Sequence, residues 1–178
     1  MTRDETPVVQ VKQLDVGVDY SQVYLVDEGC DACGQFDGVP GHPVGIIRVE
    51  KGRASLIVGP QWGTVEFTVA VADRDPGADL DGYEDIVEIS YESPSGRVSL
   101  EEWEGREYSL PPLPAGPGAY RLRYHVRGMD EEVAIEIGDH YFLQIWPEPL
   151  RDPTVLKSTS SSFQYWLNSE RPRQAGVE

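Results

Sequence analysis

Cys30-Asp31-Ala32-Cys33 is the motif with the most chemistry in it. Two thiolates on one tight turn can take two corners of a zinc tetrahedron, and His42 could add a third ligand. No second Cys or His pair closes a four-ligand site, and a redox reading needs the motif to open a helix in an α/β chain. The pair is therefore read as loop thiols, with no metal and no cofactor assigned. The Gly/Pro-rich surroundings from Gly29 to Pro43 make the segment a candidate recognition loop. His125 falls between Arg123 and Arg127 and reads as a solvated or hydrogen-bonded surface imidazole; His140 follows a Gly138-Asp139 turn. No nucleophile elbow, zinc-protease, phosphate-loop or dinucleotide motif is present, so no catalytic residue is assigned and the chain reads as a non-enzyme. Convergence of Cys30, Cys33, His42 and His140 would revive a metal-dependent enzyme.

The acids are the other chemical feature. Asp73 to Glu107 holds twelve Asp or Glu against three Arg and no Lys, and Gly128 to Pro149 holds six more acids and no Lys or Arg. These segments account for −15 of the chain's net −16, so the charge is regional. Such a surface repels nucleic acid and anionic membranes and attracts basic proteins. Adjacent carboxylates such as Glu84/Asp85 and Glu101/Glu102 point to opposite faces of a strand and cannot work as an acid/base pair. Solubility and protection of strand edges are the plainer explanation of a charged face, and the Arg121, Arg123, Arg127 stripe could neutralise part of a Glu88, Glu92 stripe through cross-strand pairs. A charge of this size nevertheless exceeds the magnitude of roughly 2 to 8 that keeps a small domain soluble. Glu88, Glu92, Glu101, Glu102, Trp103 and Glu104 are accordingly the candidate partner-binding residues.

The elements that must position them have a period of two. Val16, Val18, Tyr20, Tyr24 and Val26 share one face, with Gln22 the polar entry. Val65, Phe67, Val69 and Val71 alternate with Thr64, Glu66, Thr68 and Ala70. Tyr120, Leu122, Tyr124 and Val126 oppose Arg121, Arg123, His125 and Arg127, which predicts an apolar side to bury and a cationic side to display. Further strands are expected at Val44 to Glu50, Ala54 to Val58, Asp85 to Glu92, Arg97 to Trp103, Val133 to Ile137 and His140 to Trp146. Glu50 to Arg53, Ser93 to Gly96 and Gly138-Asp139 read as hairpin connections. Leu110 to Gly118, with four prolines, reads as a stiff crossover loop. The expectation is an all-β fold: an antiparallel β-sandwich or jelly-roll-like domain of about eight or nine strands.

At 178 residues and 39% hydrophobic, the chain suits one domain with a sizeable core. Residues 1–150 are expected to form the β domain and 151–178 a C-terminal extension beyond a Ser158 to Ser162 separator. Its Phe163 to Leu167 segment could be an edge strand, a docked short helix or a partner anchor. The acids and Pro within Met1 to Val11 do not suit a signal peptide, and no run approaches a membrane span. Two close cysteines suit a reducing compartment. A cytoplasmic protein is expected.

The Val18-Asp19-Tyr20-Ser21-Gln22 segment, and the Leu113-Pro114-Ala115-Gly116 loop leading into Tyr120-Arg121-Leu122, resemble the corresponding elements of the competence-associated nuclease inhibitor (ComJ-like) family. The likeness runs loosely from Gly17 to Trp146. It implies a small cytoplasmic β-rich protein that holds a DNA-entry nuclease inactive, or an immunity protein against a nuclease toxin. The Cys-containing loop, the spacing of the Pro-rich loop and the Ser-rich C-terminal segment depart from that pattern.

Resemblance and charge together predict an acidic binding protein that blocks a basic partner, a nuclease or nuclease toxin, by phosphate mimicry. Carboxylates would stand where substrate phosphates meet Arg and Lys, around Trp103 or Tyr91 as an apolar anchor. The alternative is a small-ligand or carbohydrate-binding module using Trp62, Tyr83 and Trp103. A coplanar aromatic strip would favour that alternative, a contiguous carboxylate patch the first reading.

Overall fold

A computed structural model describes residues 6–30, 44–130 and 140–169. Eleven strands and one helix follow in order: β1 (Val9–Asp19), β2 (Gln22–Asp27), β3 (Ile47–Glu50), β4 (Arg53–Ile57), β5 (Trp62–Ala72), β6 (Asp85–Ser93), β7 (Val98–Glu101), β8 (Glu107–Ser109), β9 (Gly118–Arg127), β10 (His140–Pro147), β11 (Thr154–Ser158) and α1 (Ser161–Ser169). The fold is all-β, as the period-two pattern requires.

Hydrogen bonding runs in the order β11-β6-β9-β10-β5-β1-β2-β4-β3, with β7 on β2 and β8 on β7. One register pair, Asp19 with Gln22, joins β1 to β2, whereas β1 pairs with β5 over its whole length. The sheet therefore turns a corner at that hairpin and curls into a half-barrel. The short arm comes back over the long one, and Gly52 N–H in the β3/β4 turn donates to Glu92 O on β6 at 2.9 Å. Val16, Val65, Phe67, Ile89, Leu122 and Leu143 of the long arm enclose a core with Val23, Leu25, Leu56 and Leu100 of the short arm.

The sheet is mixed rather than purely antiparallel, because β10 runs parallel to β5 while pairing antiparallel with β9. The expected Val16 to Val26 face is two strands, not one. Tyr20 and Ser21 have φ of 56° and 57° and form the two-residue turn between β1 and β2. Ser93 to Gly96 is not a hairpin: β6 pairs with β9 and β11, β7 with β2 and β8, so the segment crosses from one arm to the other. Glu50 to Arg53 is the β3/β4 hairpin, and the Pro-rich loop crosses between β8 and β9. Val133 to Ile137 and Gly138-Asp139 lie outside the described residues.

Beyond residue 150, β11 pairs with β6 at the edge of the long arm, and Phe163 of α1 is buried in the core. Ser160 caps the helix: its hydroxyl accepts Phe163 N–H at 3.1 Å. Buried Asp85 anchors that cap by accepting Thr159 N–H (2.8 Å), Ser160 N–H (3.1 Å) and the Ser160 hydroxyl. Asp130 accepts Ser161 N–H (2.9 Å) and Ser162 N–H (2.8 Å), placing a carboxylate at the positive end of the helix and holding its pKa below the ordinary value. Gly45, at φ 70°, lies where α1 crosses; a Cβ there would meet Leu167 N at 2.9 Å.

Candidate functional site

The stripe expected to be displayed is buried, except for Arg127 at its end. Arg121 and His125 are 0% exposed, Arg123 and Glu88 4%. Two segments cover this face of β6, β9 and β10: residues 73–83, and the chain from 148 into β11. Glu88 binds Arg121 Nε (3.3 Å), Arg123 Nε (3.2 Å) and Arg151 Nη2 (3.0 Å). Arg121 also donates to Asp152 O (2.9 Å) and Arg151 O (3.1 Å), and Arg123 to both oxygens of Asp75 (2.8 and 3.0 Å) and to Gln144 (2.8 Å). Glu88 is thus occupied inside the protein.

His125 is likewise internal. Its Nε2 accepts Asp79 N–H at 3.1 Å, which makes Nδ1 the protonated nitrogen facing Phe142 O at 3.2 Å. Burial first, and the Arg123 charge, depress its pKa to about 4. Tyr83 packs against His125 and Phe142, away from the other two aromatics proposed for a sugar strip. Cys30 is disulfide-bonded rather than the free thiol expected. Cys33 and His42 lie outside the described residues, within which no cluster of three or more His, Cys, Asp or Glu forms a metal site.

The exposed chemistry gathers at the corner where the arms meet. Tyr20, Trp62 and Trp103 are 61%, 69% and 52% exposed. Tyr20 meets Trp103 edge-on at 4.9 Å, Trp103 lies 6.3 Å from Tyr24, and Trp62 pairs with Asp19 beside the turn. The turn carries left-handed Tyr and Ser where Asn-Gly is the relaxed choice, at a cost of about 1–2 kcal/mol per residue. Directly paired residues share a sheet face, so Tyr24, Glu101 and Glu107 line one outer face of β2, β7 and β8. Glu101 and Glu107 are like charges placed opposite each other. Partial burial first, then Glu107, raise the Glu101 pKa, with Arg53 opposing. Arg53 stacks over Tyr24 at 4.6 Å and Arg106 over Tyr108 at 5.0 Å. Glu104, in the β7/β8 connection, is exposed.

Glu102 points the other way. Its Oε1 accepts Gly17 N–H at 2.7 Å and the Tyr108 hydroxyl at 2.5 Å, latching β1 to β8 where no strand ladder joins them. A Cβ at Gly17 would fall 2.9 Å from the Glu102 carboxyl carbon, so glycine is what admits the latch. Replacing Glu102 by Ala should cost about 1–3 kcal/mol in urea unfolding by stranding these donors. A change below 0.5 kcal/mol would show that the seam holds without it.

Among the six residues proposed from the sequence, Glu101, Trp103 and Glu104 therefore belong to this corner, Glu102 braces it, and Glu88 is internal. Glu92 lies elsewhere, 4.0 Å from Lys51. Tyr20 and Glu107 were missed, and Trp62 was named only for the sugar-binding alternative. An aromatic beside Ser in a two-residue turn was the available signal for Tyr20, and the short β7/β8 hairpin that places Glu107 has almost no strand pattern.

An all-β half-barrel with a strained, exposed aromatic corner has structural neighbours. No protein-family model matches the chain, and no curated protein matches it in sequence. The chain is similar in fold to ComJ, inhibitor of the DNA-degrading activity of NucA, from Bacillus subtilis. TM-score is 0.59 at 13% identity, covering 79% of this chain and 99% of that one. It is also similar to the product described as crocagin biosynthetic gene J, with TM-score 0.55 at 14% identity, covering 80% and 99%. The fold resemblance read from the sequence is thereby upheld. Among the described residues no helix is long and apolar enough to cross a membrane.

Proposed function

We propose that the protein is a non-enzymatic inhibitor or immunity protein that binds a basic nuclease through the corner formed by Tyr20, Trp62, Trp103, Glu101, Glu104 and Glu107. The observation that carries this reading is the coincidence of exposed aromatics with two directly opposed carboxylates on a fold shared with a nuclease inhibitor. Large exposed rings supply contact area at small entropic cost, and the acids supply steering and occupy the cleft where substrate phosphates would bind. Glu88 takes no part in such mimicry, since it is already neutralised by arginines. A sugar platform is the weaker reading: Tyr20 and Trp103 meet at 60°, and Tyr83 stacks on the other arm.

The test is capture on immobilised protein from extract of the source organism, followed by DNA-degradation assays on the captured material with and without added protein. A nuclease inhibited stoichiometrically is the expected result. Association should slow as salt shortens the Debye length below about 8 Å. Glu104→Lys with Glu107→Lys should weaken inhibition by about 2–5 kcal/mol if either acid pairs with a buried cation. Recovery of no nuclease, or equal inhibition by the double variant across the salt range, would refute the proposal.

A further inference from the structure

We infer that the residue the corner receives is an arginine of the partner, its guanidinium stacking on Trp103 and facing the Glu101/Glu107 pair. The inference rests on the basic-partner reading above and specifies its anchor.

Three features of the corner are unfavourable in the isolated chain: a turn with two non-glycine left-handed residues, aromatic rings held in water, and two carboxylates opposed across β7 and β8. Clustered strain and exposed rings of this kind mark interaction surfaces. One side chain suits both the ring and the acids. A guanidinium is flat and weakly hydrated, stacks on an aromatic face and can donate to carboxylates at its edge. An ammonium can neutralise the acids but gains less from the ring. The protein uses the same chemistry on this face already: Arg53 covers Tyr24 while its charge opposes the rise in the Glu101 pKa. Trp103 is the next ring in that series, 6.3 Å from Tyr24 and half exposed.

The probes are end-blocked hexa-arginine and hexa-lysine peptides of equal charge, titrated calorimetrically into the intact protein at low salt. Hexa-arginine should bind at least about fivefold tighter. Trp103→Leu keeps apolar bulk but removes the π-face, and should bring the two peptides to within about twofold. Tyr165→Leu, at an exposed ring of α1 outside the corner, should leave the ratio unchanged. Glu107→Gln should weaken both peptides. Equal binding of the two peptides to wild type, an unchanged ratio in Trp103→Leu, or binding of neither peptide overturns the arginine anchor. If both peptides bind equally and Glu107→Gln weakens both, the acidic corner stands as a general cation surface and the nuclease reading survives. Loss of the nuclease reading itself is judged by the inhibition assay, which is independent of these peptides.

Discussion

Replacing Glu88 by Gln should destabilise the protein by about 3–5 kcal/mol, among the largest effects open to a surface-neutral substitution. Glu88 carries the one negative charge lying between Arg121 and Arg123, both almost wholly buried, and it also receives Arg151 from the covering segment. Asp75 remains to pair with Arg123, but Arg121 keeps chiefly carbonyl oxygens and an Nε contact with Glu148 at 3.9 Å. An uncompensated buried guanidinium is costly, whereas removing both ends of such a network with apolar residues of similar volume is often neutral. Urea unfolding should therefore show a lowered midpoint for Glu88→Gln at unchanged slope. The pair Glu88→Leu with Arg121→Met should recover part of the loss. A single substitution costing under 1 kcal/mol would mean that water reaches the network and that it behaves like a surface ion pair.

Lowering the pH from about 6.5 to 4 should remove about 3 kcal/mol of stability through His125 alone. The folded state holds this imidazole neutral, with its pKa depressed to about 4 from the ordinary 6.5. Between those values the unfolded chain binds the proton and the folded chain does not, so stability rises with pH across that window and levels off above it. The depressed carboxylates of Asp27, Asp75 and Asp130 act lower, losing their contribution as pH falls below about 3.8. The partly buried Glu101, raised in pKa, has the opposite sign. Comparing wild type with His125→Gln in urea melts from pH 7 to 4.5 isolates the histidine. The variant should be less stable at pH 7, since Gln cannot reproduce both ring hydrogen bonds, yet should show a pH slope smaller by up to one proton. Parallel slopes would place the imidazole in contact with water.

Glu88 and His125 occupy strand positions that were legible in the sequence, whereas their burial was not. Alternation in Tyr120 to Arg127 separates two faces correctly, because side-chain direction in a strand is a local property of the backbone. Which polar face meets water depends on what lies over it, and the covering chain comes from residues 73–83 and 148–158, tens of residues away in sequence. The same logic applies to Glu101 and Glu102. Their opposed directions follow from adjacency, but only the fold brings Glu102 to Gly17 and Tyr108 while leaving Glu101 facing Glu107.

By itself the sequence determined the strand content, the location of most core side chains, the regional charge and the crossover character of the Pro-rich loop. Each of these rests on local geometry or composition. Tertiary structure alone decided that β10 would lie parallel to β5, that Tyr20 and Ser21 would turn the chain at a corner, and that Phe163 would enter the core. It also decided which acids remain available to a partner. A carboxylate's availability depends on how many cations the fold brings within hydrogen-bonding distance: three arginines meet Glu88, while Glu107 stands opposite another acid. Those distances are set by pairings between residues remote in the chain, which no local pattern encodes.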